Sequence, residues 1–87
     1  MSEQQGDVVG LVEGIVLSLV DEAEQVKIES SQSDDALTIE IRVAPEDVGK
    51  VIGRQGRIIK AIRTLSRAVS SYTGGSHIEV EVVDQHS

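Results

Sequence analysis

Residues 53–57 have the sequence Gly-Arg-Gln-Gly-Arg and lie between apolar residues at a predicted helix junction. Glycine tolerates positive φ values, so two glycines three residues apart can form a loop whose backbone approaches a ligand closely. The helix that follows adds free N–H groups and the positive end of its dipole, both of which favour anions. Arg54, Arg57 and nearby Lys50 add positive charge. This combination predicts a phosphate-binding loop.

Charge is unevenly distributed along the chain. The formal net charge is −7, from 8 lysines and arginines against 15 aspartates and glutamates. Residues 48–77 contain no acidic residue and carry six of the cations, which are Lys50, Arg54, Arg57, Lys60, Arg63 and Arg67. The distribution predicts an anionic polymer bound at one face, because the acidic remainder of the chain would repel it elsewhere.

Length and composition predict one small domain, since 87 residues with 39% hydrophobic content support a limited core. There is no cysteine, which excludes disulfides and thiolate metal sites. The longest nearly apolar stretch, residues 8–20, is interrupted by Gly10, Glu13 and Gly14, so it is too short and too polar to span a bilayer. With no basic and apolar leader at the N-terminus, we expect a cytoplasmic protein that does not bind membranes.

The elements before the loop follow from hydrophobic periodicity. Apolar residues at helical spacing predict a helix over residues 8–20, with Asp7 as its N-cap and residues 1–6 as a flexible tail. Alternating apolar residues predict two strands, one around Val26 and Ile28 and one over residues 37–43. Residues 32–35 between them are turn-like, so the strands are predicted to form an antiparallel hairpin.

The elements around and after the loop complete the order helix, strand, strand, helix, helix, strand. Pro45 opens a short helix that ends near Ile52. A longer helix follows the loop, with an apolar stripe that contains Ile58, Ile62, Leu65, Val69 and Tyr72, and it ends at Gly74-Gly75. Ile78, Val80 and Val82 alternate with glutamates in a last strand, and residues 84–87 form a polar tail.

The segment VIGRQGR, placed between two helices and preceded by a hairpin, resembles the helix–GxxG–helix element of the KH domain, which binds single-stranded nucleic acid. The αββααβ order is similar to the type II arrangement, an α+β fold with helices packed on one face of a three-stranded sheet. The resemblance covers residues 7–83. A free-standing domain of this length resembles the small bacterial KhpA family of RNA-binding proteins.

The resemblance implies that the chain binds single-stranded RNA as a chaperone or post-transcriptional regulator, with a role in cell-envelope and cell-shape control. It also implies a homodimer, or a heterodimer with a larger KH-containing protein of the KhpB type. In a KH domain the loop holds about four nucleotides by their backbone beside an apolar cleft. The predicted RNA-binding residues are Lys50, Ile52, Gly53, Arg54, Gln55, Gly56, Arg57, Ile59 and Lys60, with the two isoleucines as candidates for the cleft floor.

Several alternatives remain open on the sequence. Ile59 lies off the predicted apolar stripe, so it forms either the cleft floor or a protein interface, unless it is simply buried. Arg63 and Arg67 share a helix face with Lys60 and could be only solvated charges. The glycine loop could be an ordinary helix–helix turn. The whole domain could also be a protein-interaction module that no longer binds RNA.

Catalysis and cofactor binding find little support in the sequence. Gly49 is followed five residues later by Arg54 instead of the glycine of a Walker A loop, and no GxGxxG occurs. His77 and His86 have no serine or carboxylate constellation suggested by the sequence. Glu79 and Glu81 alternate along a strand, as solvent-facing residues do. We therefore expect no enzyme activity, no metal and no cofactor.

Overall fold

A computed structural model describes the backbone of residues 3–33, 35–72 and 77–83, and the side chains of residues 8–33, 35–70 and 77–83. The elements are α1 (Glu3–Leu19), β1 (Lys27–Ser33), β2 (Ala36–Arg42), α2 (Val48–Ile52), α3 (Arg57–Tyr72) and β3 (His77–Val83). Short 3-10 turns occupy Ala23–Gln25, Pro45–Asp47 and Arg54–Gly56. The predicted α+β fold of αββααβ order is confirmed, as is the opening of the short helix at Pro45.

The three strands form one mixed sheet in the order β1-β2-β3. β1 pairs antiparallel with β2, which confirms the hairpin, and β2 pairs in parallel with β3. The turn is shorter than predicted, because Gln32 and Ser33 belong to β1 and Ser33 lies opposite Ala36. Polar residues are tolerated there because β1 is an exposed edge strand, where the Gln32 amide donates to the Ala36 carbonyl oxygen at 3.2 Å.

The core lies on one face of the sheet, beneath the helices. Alternate residues of β2 and β3 are buried, and β2 shows the pattern most clearly, with Leu37, Ile39 and Ile41 at 2% exposure or less. α1 contributes Val8, Val12 and Val16 to the same cluster. The other face of the sheet is therefore polar, as the period of two predicts.

α1 begins earlier than predicted. It is helical from Glu3, so Asp7 lies within the helix and is not its N-cap, and residues 3–6 are not a tail outside it. Glutamate and glutamine are good helix formers, and their propensity outweighs the capping preference of aspartate here. Met1 and Ser2 lie outside the described residues, as do the predicted tail at 84–87 and the predicted helix end at Gly74-Gly75.

The buried face of α3 differs from the predicted apolar stripe. Ile59, Ile62, Ser66 and Ser70 are buried, whereas Leu65 is 48% exposed. Serine can occupy the buried face because its hydroxyl finds a local acceptor, as Ser66 does by donating to the Ile62 carbonyl oxygen at 2.8 Å. The placement of Ile59 off the stripe is wrong. Its exposed fraction is 7% and it belongs to the core, so ordinary burial replaces both the cleft floor and the interface.

Candidate nucleic-acid interface

The junction between α2 and α3 is a tight loop built from left-handed backbone conformations. α2 ends where the Gly53 N–H donates to the Gly49 carbonyl oxygen at 2.8 Å. Gly53 has φ 79° and ψ 170°, Gln55 has φ 58° and ψ 24°, and Gly56 has φ 74°. Only glycine adopts the conformation of Gly53 readily. Gln55 lies in the left-handed region, which is unfavourable for a residue with a side chain. The two glycines therefore allow the shape of the loop, and the backbone strain falls on Gln55.

The two glycines meet different requirements. A Cβ at Gly53 would lie 2.6 Å from Ile58 Cγ1 and 2.9 Å from the Ile58 backbone nitrogen, so the start of α3 leaves no room for it. A Cβ at Gly56 would meet only Ile59 Cγ2, at 3.9 Å, which is ordinary contact. Gly53 is thus needed for the close approach of the chain to itself, and Gly56 mainly for its positive φ.

The loop presents polar side chains to solvent. Arg54, Gln55 and Arg57 are exposed, and Arg57 Nη2 lies 3.4 Å from Gln55 Oε1. The backbone N–H groups of Gly56 and Arg57 donate to the loop's own carbonyl oxygens, those of Gly53 and Arg54. A phosphate at this loop would therefore be met mainly by the Arg54 and Gln55 side chains and by the field of α3.

A groove continues from the loop along α3. We call it the α3–β3 groove, and it is lined by Lys60, Arg63, Thr64 and Arg67 of α3 and by Glu79, Val80 and Glu81 of β3. Lys60 lies one helical turn beyond Arg57, so loop and groove share one basic edge of α3. Arg63 is half-buried and its Nε donates to the Val80 carbonyl oxygen at 3.1 Å. The alternative of a merely solvated charge is therefore wrong for Arg63, whereas Arg67 is exposed at the groove.

Lys50, predicted as a phosphate ligand, is engaged in ion pairs. Its Nζ lies 2.8 Å from Asp47 Oδ1 and 2.8 Å from Asp21 Oδ2. The Asp47 side chain is 0% exposed, and its other carboxylate oxygen accepts the Glu22 backbone N–H at 3.0 Å. The hydrogen bonds to Asp21 and Asp47 raise the pKa of Lys50 above its ordinary 10.5. The hydrogen bond from Lys50, and then that from Glu22, lower the pKa of Asp47.

The predicted RNA-binding residues differ in whether their side chains are exposed, shape the loop or are buried in the core. Arg54, Gln55, Arg57 and Lys60 are exposed side chains along one edge, and Gly53 and Gly56 shape the loop between them. Ile52 is half-buried against the core, and Ile59 is fully part of it. Asp47 was not predicted as the partner of Lys50, although their spacing of three residues in a helical segment was a usable signal. No local pattern indicates Asp21, which lies 29 residues from Lys50 in sequence.

Over residues 3–33, 35–72 and 77–83, no group of three or more histidines, cysteines, aspartates or glutamates is arranged to hold a metal ion. Within the same residues, no helix has the length and apolar character needed to cross a membrane.

Solved structures with a similar fold include two of Era. One is an Aquifex aeolicus Era variant bound to GDP·AlF4−, with 19% identity and a TM-score of 0.57 over 90% of this chain and 31% of that chain. The other is Era in complex with MgGDPNP and nucleotides 1506–1542 of 16S ribosomal RNA, with 20% identity and a TM-score of 0.56. This chain thus spans about a third of Era, and at such identities the similarity concerns the fold alone.

Sequence relatives are similar over nearly their whole length. RNA-binding protein KhpA of Borreliella burgdorferi is 40% identical over 94% of this chain and 99% of its own. RNA-binding protein KhpA of Listeria monocytogenes is 46% identical over 85% of this chain and 96% of its own. The family model described as KhpA/KhpB, KH domain matches residues 10–82. The αββααβ fold, the GxxG loop between α2 and α3 and these matches together show that the chain belongs to the KhpA/KhpB KH-domain family.

Proposed function

We propose that this protein binds single-stranded RNA through the loop at residues 53–57 and the adjoining basic edge of α3. Arg54 and Gln55 donate hydrogen bonds to phosphate and sugar oxygens, while Arg57 and Lys60 hold the next stretch of backbone. Bases then lie toward the α3–β3 groove, where the aliphatic parts of its long side chains give apolar contact, and Ile52 gives apolar contact beside the loop. No reaction is catalysed.

The observation that carries this proposal is the continuity of exposed donors along one edge. Arg54, Gln55, Arg57 and Lys60 are all exposed, and they follow one another from the loop onto the first turn of α3. From Arg57 to Arg67, ten residue steps of α3 extend about 15 Å along the helix axis. A track of this kind suits the repeated charge of a nucleic acid strand better than a single small anion.

The names of the relatives support the same ligand, since both of those described above are called RNA-binding proteins. A KH domain binds RNA without altering it covalently, which agrees with a noncatalytic role. From family resemblance alone we extend the proposal to an RNA chaperone or post-transcriptional regulator of the cytoplasm, acting in cell-envelope and cell-shape control.

A single site of this size favours assembly with a second KH domain. One GxxG loop reads few nucleotides, so two linked sites raise the affinity through effective concentration. α3 carries a stripe of exposed apolar residues, Ala61, Leu65 and Ala68, at helical spacing of four and three residues. We propose that this stripe pairs either with a second copy of the chain or with a larger KhpB-type partner.

The proposed RNA site is tested by replacing its two exposed donors. In the double variant Arg54→Asp/Gln55→Asp, negative charge stands where phosphate would bind, and we expect RNA affinity to fall by at least about tenfold. The probe is a labelled random-sequence single-stranded RNA of about eight nucleotides, twice the number that a KH loop holds. Affinity is measured by fluorescence anisotropy at several salt concentrations. For wild type, log affinity should fall with a slope of about −1.5 to −3 against log salt.

The matched control is Lys27→Asp/Ser31→Asp, which changes the net charge by the same amount at exposed residues of β1. We expect this control to retain most of the wild-type affinity. Equal losses in both variants would show that only overall charge matters. Wild-type affinity in the folded Arg54→Asp/Gln55→Asp variant, or no dependence on salt, would favour the alternative of an interaction module that does not bind RNA.

A further inference from the structure

A buried carboxylate joins the helix that precedes the loop to the connection between α1 and β1. Asp47 stands at the start of α2, and its side chain is 0% exposed. One carboxylate oxygen accepts the Glu22 backbone N–H at 3.0 Å and the other accepts Lys50 Nζ at 2.8 Å. Lys50 in turn reaches Asp21 at 2.8 Å. We call Asp21, Glu22, Asp47 and Lys50 the α2 clamp.

A buried carboxylate needs all of its hydrogen bonds, so Lys50, which supplies one of them to Asp47, is not free to bind an RNA phosphate. An uncompensated carboxylate in a protein interior is strongly unfavourable, so Asp47 requires both the Glu22 N–H and the Lys50 ammonium. If Lys50 turned toward a phosphate, Asp47 would lose its charged partner. Pairing with RNA would therefore have to offset that loss, whereas Arg54 and Arg57 have no comparable commitment to a buried carboxylate among the described residues.

The clamp is well placed to hold the loop. α2 has only five residues, so too few intrahelical hydrogen bonds fix its direction. Its N-terminal end is held by Asp47, and its C-terminal end leads directly into Gly53. A rotation of α2 would therefore displace Gly53, at a place where not even an added Cβ would fit beside Ile58.

We infer that Asp47 and Lys50 are positioning residues for the RNA-binding loop, and that Lys50 acts through Asp47 and not by contact with RNA. This inference rests on the proposed function for its affinity readout. A general stabilising role would change only the fraction of protein that is folded. The positioning role changes the RNA affinity of the folded protein itself. Loosening the clamp leaves the loop to be ordered during binding, and that ordering opposes RNA association.

The first experiment compares two substitutions that remove the same charge. Asp47→Asn breaks the clamp, whereas Glu46→Gln neutralises its exposed neighbour. Electrostatics alone would raise RNA affinity in both, since each removes a negative charge. The clamp instead predicts that folded Asp47→Asn binds the eight-nucleotide RNA about threefold to tenfold more weakly than wild type. Glu46→Gln should bind at least as tightly as wild type. Equal or tighter binding by Asp47→Asn would overturn the inference.

Lys50→Gln provides a second variant should Asp47→Asn fail to fold. Loss of a phosphate contact would reduce the magnitude of the salt slope by about 0.7, whereas loss of a positioning residue lowers affinity without changing the number of contacts. We expect weaker binding by Lys50→Gln with an unchanged slope. A slope reduced by one contact would show that Lys50 touches RNA and would overturn its assigned role.

Amide hydrogen exchange tests the clamp without RNA and so separates its failure from that of the proposed function. The N–H groups of Gly53 and Gly56 donate within the α2–α3 junction, and those of β2 lie in the central strand. In Asp47→Asn, or in Lys50→Gln, exchange at Gly53 and Gly56 should accelerate more than exchange at Ile39 of β2. Uniform acceleration would indicate global destabilisation and contradict the clamp, even if wild type binds no RNA.

Discussion

The two loop glycines are chemically identical but lie in different surroundings. Replacing them should therefore destabilise the protein by different amounts. Gly53 combines a backbone conformation that other residues avoid with contact to the Ile58 backbone, whereas Gly56 has only the positive φ. For a residue other than glycine, the backbone conformation of Gly53 and the overpacking against Ile58 would each cost about 1–3 kcal/mol of stability. The motif GxxG thus contains one glycine required chiefly by the fold and one with open space beside it.

We predict that Gly53→Ala lowers the free energy of unfolding by about 3 kcal/mol or more, because it adds overpacking to backbone strain. Gly56→Ala should lower it by only about 1–2 kcal/mol, the penalty of the left-handed conformation. Chemical denaturation of both variants measures the difference. Gly10→Ala is the control, because a Cβ there meets nothing within 4 Å and lies in a helix, so it should be neutral or stabilising. Equal losses at Gly53 and Gly56 would contradict the assignment.

At the scale of elements, α2 depends on a titratable contact. Folding lowers the pKa of Asp47 from its ordinary 3.8, chiefly through the hydrogen bond from Lys50. A carboxylate of this kind contributes stability that is complete above its unfolded pKa and is lost as the pH falls through the lower folded value. Lys50, with a raised pKa, contributes stability that is complete below 10.5 and lost at higher pH.

We therefore predict a pH-dependent difference between wild type and Asp47→Asn. The melting temperature of wild type should exceed that of the variant by a constant amount between about pH 5 and pH 8, and the gap should narrow as the pH falls below about 4. Thermal melts followed by circular dichroism over this range measure the gap. A gap that stays constant down to about pH 2.5 would contradict the role of the Asp47 charge, since unfolded aspartate is protonated there.

The pKa of Glu22 shifts in the direction opposite to that of Asp47, so its contribution to the pH dependence of stability needs a separate control. Its pKa is raised, first by the hydrogen bond and repulsion with Glu24 and more weakly by Glu46 and Asp47. Its protonation at low pH therefore relieves repulsion in the folded protein. Glu24→Gln removes the main cause. If the gap between wild type and Asp47→Asn narrows in the same way when both carry Glu24→Gln, the effect belongs to Asp47.

The elements also show what local pattern can and cannot predict. The order of helices and strands, the hairpin and the glycine junction depend on periodicity and on residue types a few positions apart, and all were predicted. The buried face of α3 was misplaced because hydrophobicity alone put Leu65 inward, although a serine such as Ser66 can be buried when its hydroxyl donates to a local carbonyl oxygen. The pairing of Lys50 with Asp21 joins residues 29 positions apart, which no local pattern reveals.

Across the whole molecule, charge and apolar exposure point to different surfaces. The polar face of the sheet brings Glu29, Glu40 and Glu81 into one row across β1, β2 and β3, with Arg42 paired to the first two. The basic side chains of the loop and of α3 lie at one edge of this face, where Glu79 and Glu81 of β3 form the acidic side of the α3–β3 groove. The acidic sheet face would repel an RNA strand, so the proposed binding is expected along the basic side chains of the loop and α3. The net charge of −7 is in this way compatible with binding a polyanion.

The exposed apolar stripe of α3 is suited to contact with a second chain. Leu65 is 48% exposed and lies between Ala61 and Ala68, whose small side chains allow a second helix to approach. Leu17 of α1 is 42% exposed, but acidic Glu13 lies one turn before it and acidic Asp21 follows just after the helix ends. A contiguous apolar patch marks an interface more strongly than an isolated apolar residue does.

We therefore expect Leu65→Glu to convert the proposed dimer into a monomer, while Leu17→Glu leaves the assembly intact. Burial of a charge in an apolar interface opposes association, and neither substitution should unfold the monomer because both side chains are already exposed. Sedimentation velocity gives the mass of each variant, and RNA anisotropy gives the affinity, which should fall in Leu65→Glu alone because two linked sites become one. Should the wild-type chain itself sediment as a monomer, or should Leu65→Glu remain a dimer, this stripe is not the interface between copies.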